Sequence, residues 1–210
     1  MSSRVVEILS KLIACPSVNP RLSLENDPSA GETRVTAWLE AFAQRFGWRS
    51  ARQGVHPQRD NFLAIFPGER EEVLLWEAHQ DTVAVAGMTV EPFTATIRDG
   101  RVYGRGACDV KGGLAAMLAA LLNLSSKPAS QRPTILLAST VNEECGFTGA
   151  RALADLWRNG GACAELRGEL TTAEVRALRP SAAIIAEPTG LDIVVAHRGA
   201  VRWQCIVEGT

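Results

Sequence analysis

Val73-Leu-Leu-Trp-Glu-Ala-His-Gln-Asp81 sets the reading of the whole chain. Val73–Ala78 is a continuous, mainly apolar run of the kind buried on both faces of a sheet, so helices must cover that sheet on each side and part of it must be parallel. In such sheets ligands collect beyond the carboxyl ends of the strands. That place is taken here by His79-Gln80-Asp81. The arrangement repeats further along the chain. Thr134–Val141 reads as a second buried strand and delivers Asn142-Glu143-Glu144, and Ala182–Ala186 reads as a third, delivering Glu187-Pro188-Thr189. A fourth polar segment, Gly104-Arg-Gly-Ala-Cys-Asp109-Val-Lys-Gly-Gly113, stands just before a helix.

The elements between these strands support an α/β, three-layer fold with a mixed, largely parallel sheet. Val5, Ile8, Leu9 and Leu12 form the apolar face of a helix over Ser3–Ala14 that stops before Pro16. A second helix spans Glu32–Phe46, with Val35, Trp38, Leu39, Phe42 and Phe46 at helical spacing and Gly47 as its stop. Asn61–Phe66 is a further strand, and Asp99-Gly100 turns a hairpin between Thr94–Ile97 and Arg101–Tyr103. Helices are expected over Gly113–Leu124 and Thr148–Arg158, the latter ended by Asn159-Gly160, and Thr171 with Glu174 forms a capping box that opens a short helix ended by Pro180. Ile193–Ala196 is one more apolar strand. The stretch from Asn19 to Ala30 reads as a surface loop.

After Gly199 the texture changes. Val201, Trp203, Cys205 and Val207 alternate with polar or smaller neighbours, as in a half-buried strand whose partners do not follow before Thr210. Residues 1–198 therefore read as the N-terminal part of one domain and 199–210 as the truncated start of another.

Composition removes several classes of function. The 210 residues carry 22 Lys plus Arg against 23 Asp plus Glu, a net charge of −1, which leaves no electrostatic footprint for nucleic acid or an anionic membrane. The longest apolar run, Leu114–Leu122, is far short of the roughly 20 residues that span a bilayer. Arg4, Glu7 and Lys11 interrupt any signal-peptide core, so a cytoplasmic protein is expected. The five cysteines, an odd number without a Cys-x-x-Cys pair, read as reduced thiols; Cys108 and Cys145 adjoin the polar segments, and small buried hydrophobes are the commoner reading of such residues than thiolate ligands.

Taken singly, each polar segment has a bland explanation: a lone histidine after a strand is usually a hydrogen-bonded rim residue, and paired acids in a loop are usually solvated. Their convergence on one sheet edge is what a metal site needs, with hard oxygen and borderline nitrogen donors together. Two glycine-rich alternatives fail. Asp109 stands where a dinucleotide fingerprint requires its third small residue, and Lys111 precedes its glycines with no Ser or Thr after it, unlike a phosphate loop. His56 takes no role, His197 reads as structural or as a hinge, and for Lys111 and Arg105 a surface or supporting charge is a commoner reading than one that faces substrate.

In their order, His79-x-Asp81, the Asp109 segment, Glu143-Glu144 and Glu187-Pro-Thr resemble the co-catalytic zinc amidohydrolase family that includes acetylornithine deacetylase, succinyl-diaminopimelate desuccinylase, aminoacylase and carboxypeptidase G. The resemblance implies that His79 and Glu187 bind one zinc ion, Glu144 the other and Asp109 both, while Glu143 is the general base and Asp81 hydrogen-bonds the outer ring nitrogen of His79. It implies two Zn²⁺, with Co²⁺ or Mn²⁺ as substitutes, and a second imidazole ligand from later in the polypeptide. Two divalent cations against three carboxylates leave a positive site suited to a small anionic acyl-amino acid or dipeptide. The resemblance further implies that Gly199 opens an inserted lid through which the protein forms a homodimer. The implied reaction is hydrolysis of an amide in an N-acyl amino acid; a dipeptidase or carboxypeptidase on the same site and a non-catalytic metal-binding relative are the alternatives.

Overall fold

Helices form where apolar residues recur at three- and four-residue intervals. In the computed structural model, which describes residues 4–158 and 165–196, α1 (Arg4–Ile13) buries Ile8, Leu9, Leu12 and Ile13, and α2 (Thr33–Arg45) buries Val35, Leu39 and Ala43. Gly47, just past α2, has φ +68°, a backbone conformation in which any Cβ would be strained. The chain then runs through β1 (Arg49–His56), β2 (Arg59–Phe66), β3 (Val73–His79), the small hairpin β4 (Thr96–Arg98) and β5 (Arg101–Tyr103), α3 (Lys111–Leu124), β6 (Thr134–Thr140), α4 (Thr148–Ala154), β7 (Leu166–Gly168), α5 (Thr172–Ala177) and β8 (Ala182–Ile185). Asp99 and Gly100 both take positive φ in the β4–β5 turn, as a two-residue hairpin loop demands.

Six strands make one mixed sheet in the order β7-β1-β2-β6-β3-β8. Pairings β3–β6 and β3–β8 are parallel, while β1–β2, β1–β7 and β2–β6 are antiparallel, so parallel character is confined to one half. Alternation along the strands sends side chains to two cores. Phe62, Ala64, Phe66, Ile135 and Leu137 face α1, α2 and α3, whereas Leu63, Leu136 and Ala138 face Leu153, Leu156 and Val175 of the α4 and α5 side. These are the three layers the sequence predicts. The Thr171 and Glu174 capping box is formed at the start of α5.

Several expectations are corrected. β8 is not buried on both faces: Ile184 and Ile185 are 51% and 52% exposed, because among the described residues β8 is an outer strand paired only with β3. Ile193–Ala196 forms no strand, and Ile193 and Val195 are exposed. α4 ends at Ala154 rather than Arg158. β1 and β7, which the sequence does not announce, owe their place to pairing, β1 to β2 and β7 to β1, more than to their own polar sequences. The stretch from Asn19 is not wholly a surface loop, since Asn19 and Ser29 are buried. Asn159-Gly160, Cys163, His197 and the strand expected after Gly199 lie outside the described residues. Among the described residues no helix is long and apolar enough to cross a membrane.

Candidate metal centre at the carboxyl edge of the sheet

Parallel pairing levels the ends of β3, β6 and β8: His79 stands opposite Thr140, and Glu77 opposite Ile185. The residues immediately following these strands must therefore emerge at one edge. His79 closes β3, Glu143 and Glu144 lie in the turn after β6, Glu187 follows β8, and Asp109 precedes α3.

His79, Asp109 and Glu144 offer ligand atoms that all lie within 4.8 Å of one another. His79 Nε2 is 3.0 Å from Asp109 Oδ1 and 3.9 Å from Glu143 Oε2. One imidazole nitrogen and two carboxylates form a donor set that suits a zinc-type cation. Glu187 lies outside that close group, on an exposed segment, yet its carboxyl is coupled to it: burial raises its pKa, His79 lowers it, and the charges of Asp109, Glu77 and Glu144 raise it further. Neither Cys108 nor Cys145 belongs to the group.

The electrostatics are those of an acidic pocket with little of its own cation. Burial raises the carboxyls of Glu143 and Glu144, and neighbouring carboxylates add to the shift. Burial alone would depress His79, but its hydrogen bond to Asp109 and the charges of Asp81, Glu143 and Asp109 outweigh this and lift it to about 9. Asp109 is lowered mainly by the same hydrogen bond. Glu77, buried two residues behind His79 on the same strand and hydrogen-bonded by Thr140 at 2.6 Å, is raised by burial.

Asp81 makes a different contact from the one expected. His79 Nδ1 is 3.0 Å from the backbone oxygen of Asp81, and the carboxylate is 3.7 Å away. That carboxylate instead accepts the backbone N–H of Glu143 at 2.9 Å and of Glu144 at 3.1 Å, so it holds the acidic turn. Asn142, at φ +63°, precedes the two glutamates and donates its own N–H to Glu32 Oε1. Glu32 is in turn held by Arg59 through bonds of 2.8 and 2.5 Å.

Lys111 is not a surface or substrate-facing charge. It is 1% exposed and donates to the Cys15 carbonyl at 2.7 Å, and burial lowers its pKa to about 8. Arg105 donates to the Ala84 carbonyl, and His56 contacts Thr148 Oγ1 at the surface. Sequence reasoning misses Asn19, Glu32, Arg59 and Glu77. Only Glu77 carries a signal, as an acid inside a buried strand; the others lie on segments remote in sequence from the motifs they support.

Comparison with known proteins gives the chain a family. The model of peptidase family M20/M25/M40 matches residues 75–203. The chain is 32% identical over 192 residues to a probable succinyl-diaminopimelate desuccinylase of Staphylococcus aureus (strain MRSA252), covering 90% of this chain and 41% of that protein. In fold it is similar to an M20 family metallo-carboxypeptidase of Sulfolobus solfataricus, with TM-score 0.66, 20% identity, and coverage of 88% of this chain and 37% of that one. Human carnosine dipeptidase 1 is similar with TM-score 0.65 and 19% identity, over 86% of this chain and 38% of the human one. The chain spans less than half the length of each of these proteins. The family model covers well over half of the residues, in the region that carries the ordered motifs, and the chain accordingly belongs to peptidase family M20/M25/M40.

Proposed function

We propose that the whole protein is a metal-dependent amide hydrolase acting on N-acyl amino acids of the kind cleaved by acetylornithine deacetylase and succinyl-diaminopimelate desuccinylase. The observation that carries this reading is the close group of His79, Asp109 and Glu144 with Glu143 beside it at one sheet edge. The relation to a protein named as a desuccinylase favours an acyl-amino acid over a dipeptide.

His79, Asp109 and Glu144, with Glu187 beside them, would hold two Zn²⁺, with Co²⁺ or Mn²⁺ able to substitute. When bound, the cations supply Lewis acidity at the amide carbonyl and lower the pKa of water. Glu143 takes the proton released by the attacking water and returns it to the departing amine nitrogen. Its carboxylate oxygen stands 3.9 Å from His79 Nε2, beside the group that would hold the cations, which is the place a carboxylate needs in order to serve first as base and then as acid. Asp81 keeps Glu143 and Glu144 in place by accepting both of their backbone N–H groups.

In the full-length protein loaded with zinc or cobalt, Glu143→Ala should lower kcat by about 10²–10⁴-fold while bound metal is unchanged. Steady-state assays across N-acyl amino acids and dipeptides, with metal content measured alongside, provide the check. A variant with wild-type kcat removes Glu143 from the reaction, and a protein that takes up no divalent metal ends the hydrolase reading.

A further inference from the structure

Asn19 lies on a segment whose sequence suggests a surface loop, yet its side chain is completely buried. Main-chain bonds fix it from both sides: Asn19 N–H donates to Thr82 O at 2.8 Å, and Thr82 N–H donates to Ser17 O at 3.0 Å. Its side-chain oxygen accepts the N–H of Arg21 at 3.0 Å, which turns the amide nitrogen inward. That nitrogen donates to Asp81 Oδ2 at 2.6 Å and to Asn142 Oδ1 at 3.0 Å. Both of its hydrogens are used, one on each of two segments far apart in the sequence.

The two acceptors belong to opposite ends of the site. Asp81 follows His79 closely and holds the backbone of Glu143 and Glu144; Asn142 is the residue on which that turn starts. A buried carboxylate can orient its neighbours only if its own oxygens are fixed, and a bond from a neutral donor to a carboxylate is stronger than one between neutral groups. The polar atoms of Asn142 are likewise committed, to Thr148, Arg59 and Glu32. Asp81 joins the His79 end of the site to the Glu143-Glu144 end, and the Asn19 amide nitrogen braces that link by tying the Asp81 carboxylate to Asn142. An apolar side chain would fill the same space without making that tie.

We infer that Asn19 is a positioning residue: by donating to Asp81 and Asn142 together, it sets the separation between His79 and the Glu143-Glu144 turn and thereby the metal affinity of the site. The inference rests on the proposed function for its metal consequence, whereas its structural consequence can be read without metal.

The test uses the whole protein with Asn19→Asp and Asn19→Ala. Asn19→Asp keeps the shape and the oxygen that accepts from Arg21, but presents an acceptor to Asp81; Asn19→Ala removes the donor without adding charge. Hydrogen exchange without metal should quicken about tenfold or more at the amides of Glu143 and Glu144, with the amides of Ile135–Ala138 in β6 unchanged. Co²⁺ titration should show affinity reduced about 10–100-fold with an altered visible spectrum, the size expected when a group that orients a ligand is removed. Wild-type exchange at Glu143 and Glu144 in a folded variant would overturn the inference, and so would wild-type Co²⁺ affinity. Should Asn19→Asp not fold, Asn19→Ala decides by the same two readings. If the wild-type protein binds no Co²⁺, the hydrolase reading fails, and the exchange result still decides the role of Asn19.

Discussion

The two halves of the sheet handle charge in opposite ways. In the antiparallel half, β7-β1-β2, acids meet bases: Arg52 pairs with Glu40, Arg167 with Asp60, and Arg49 with Glu174. In the parallel half, β6-β3-β8, the strands run in one direction and deliver His79, Glu143, Glu144 and Glu187 to one edge. The carboxyls there are raised by burial and by one another. Parallel topology thus gathers carboxyls around a single imidazole, while the antiparallel half pairs its acids with arginines. The halves meet at β2. Because it runs antiparallel to β6, its first residues lie beside the end of β6, which is how Arg59 reaches Asn142 and Asn61 reaches the N–H of Val141. The self-neutralised half buttresses the charged one.

That division can be broken most sharply at Arg59. Glu32 is fully buried, and its pair with Arg59 lies under the turn that carries Glu143. Arg59→Ala leaves a buried carboxylate without its cation, which costs about 3–5 kcal/mol in comparable pairs. Denaturant unfolding should show the loss, and Arg59→Ala together with Glu32→Gln should recover part of it. A loss below about 1 kcal/mol would place the pair in the class of surface bridges.

Lys111 gives the next effect. Its pKa is about 8 in the folded chain against an ordinary 10.5, because burial disfavours the ammonium. The unfolded chain therefore binds the proton more tightly, and stability should rise with pH from about 8 to 10.5, by about 3 kcal/mol at 1.36 kcal/mol per pKa unit. Below that window the penalty is constant. Lys111→Met should lack this rise and match or exceed the wild type at neutral pH. Unfolding measured across the window in both proteins isolates the lysine, and parallel pH profiles would show that its ammonium is not penalised.

Much of this architecture is legible in the sequence. Apolar runs such as Thr134–Val141 place the central strands, and the polar residues just past them locate the edge, because a strand buried on both faces and the residues at its carboxyl end are both local signals. β1 is not legible: Arg49-Ser-Ala-Arg-Gln-Gly-Val-His56 has too few apolar residues, and it is a strand because β2 pairs with it along its length. The burial of β8 is overestimated for the converse reason, since Ala-Ala-Ile-Ile reads as apolar wherever it sits, and sheet order decides its exposure. Within the site, donors adjoining strand ends can be read off. Asn19, Glu32 and Arg59 cannot, because a supporting hydrogen bond depends on which distant segments the fold brings together, and no spacing records that.

The smallest expected effect tests the antiparallel half by itself. Arg52 bonds Glu40 through Nε at 2.6 Å and through its NH2 group, with Asp60 a further 3.7 Å contact. The geometry is that of a two-pronged pair, which would argue for strength. The side chains of Arg52 and Glu40 are nevertheless 26% and 35% exposed, so water and salt screen the attraction, and Asp60 keeps Arg167 as a partner when Arg52 is removed. Solvent access should win over geometry. Arg52→Ala is expected to cost no more than about 1 kcal/mol, shrinking further in high salt, and to leave metal binding at the opposite half unchanged. A loss as large as that of Arg59→Ala would mean that bond geometry rather than burial separates the two pairs, and the contrast between a self-sufficient half and a dependent one would no longer hold.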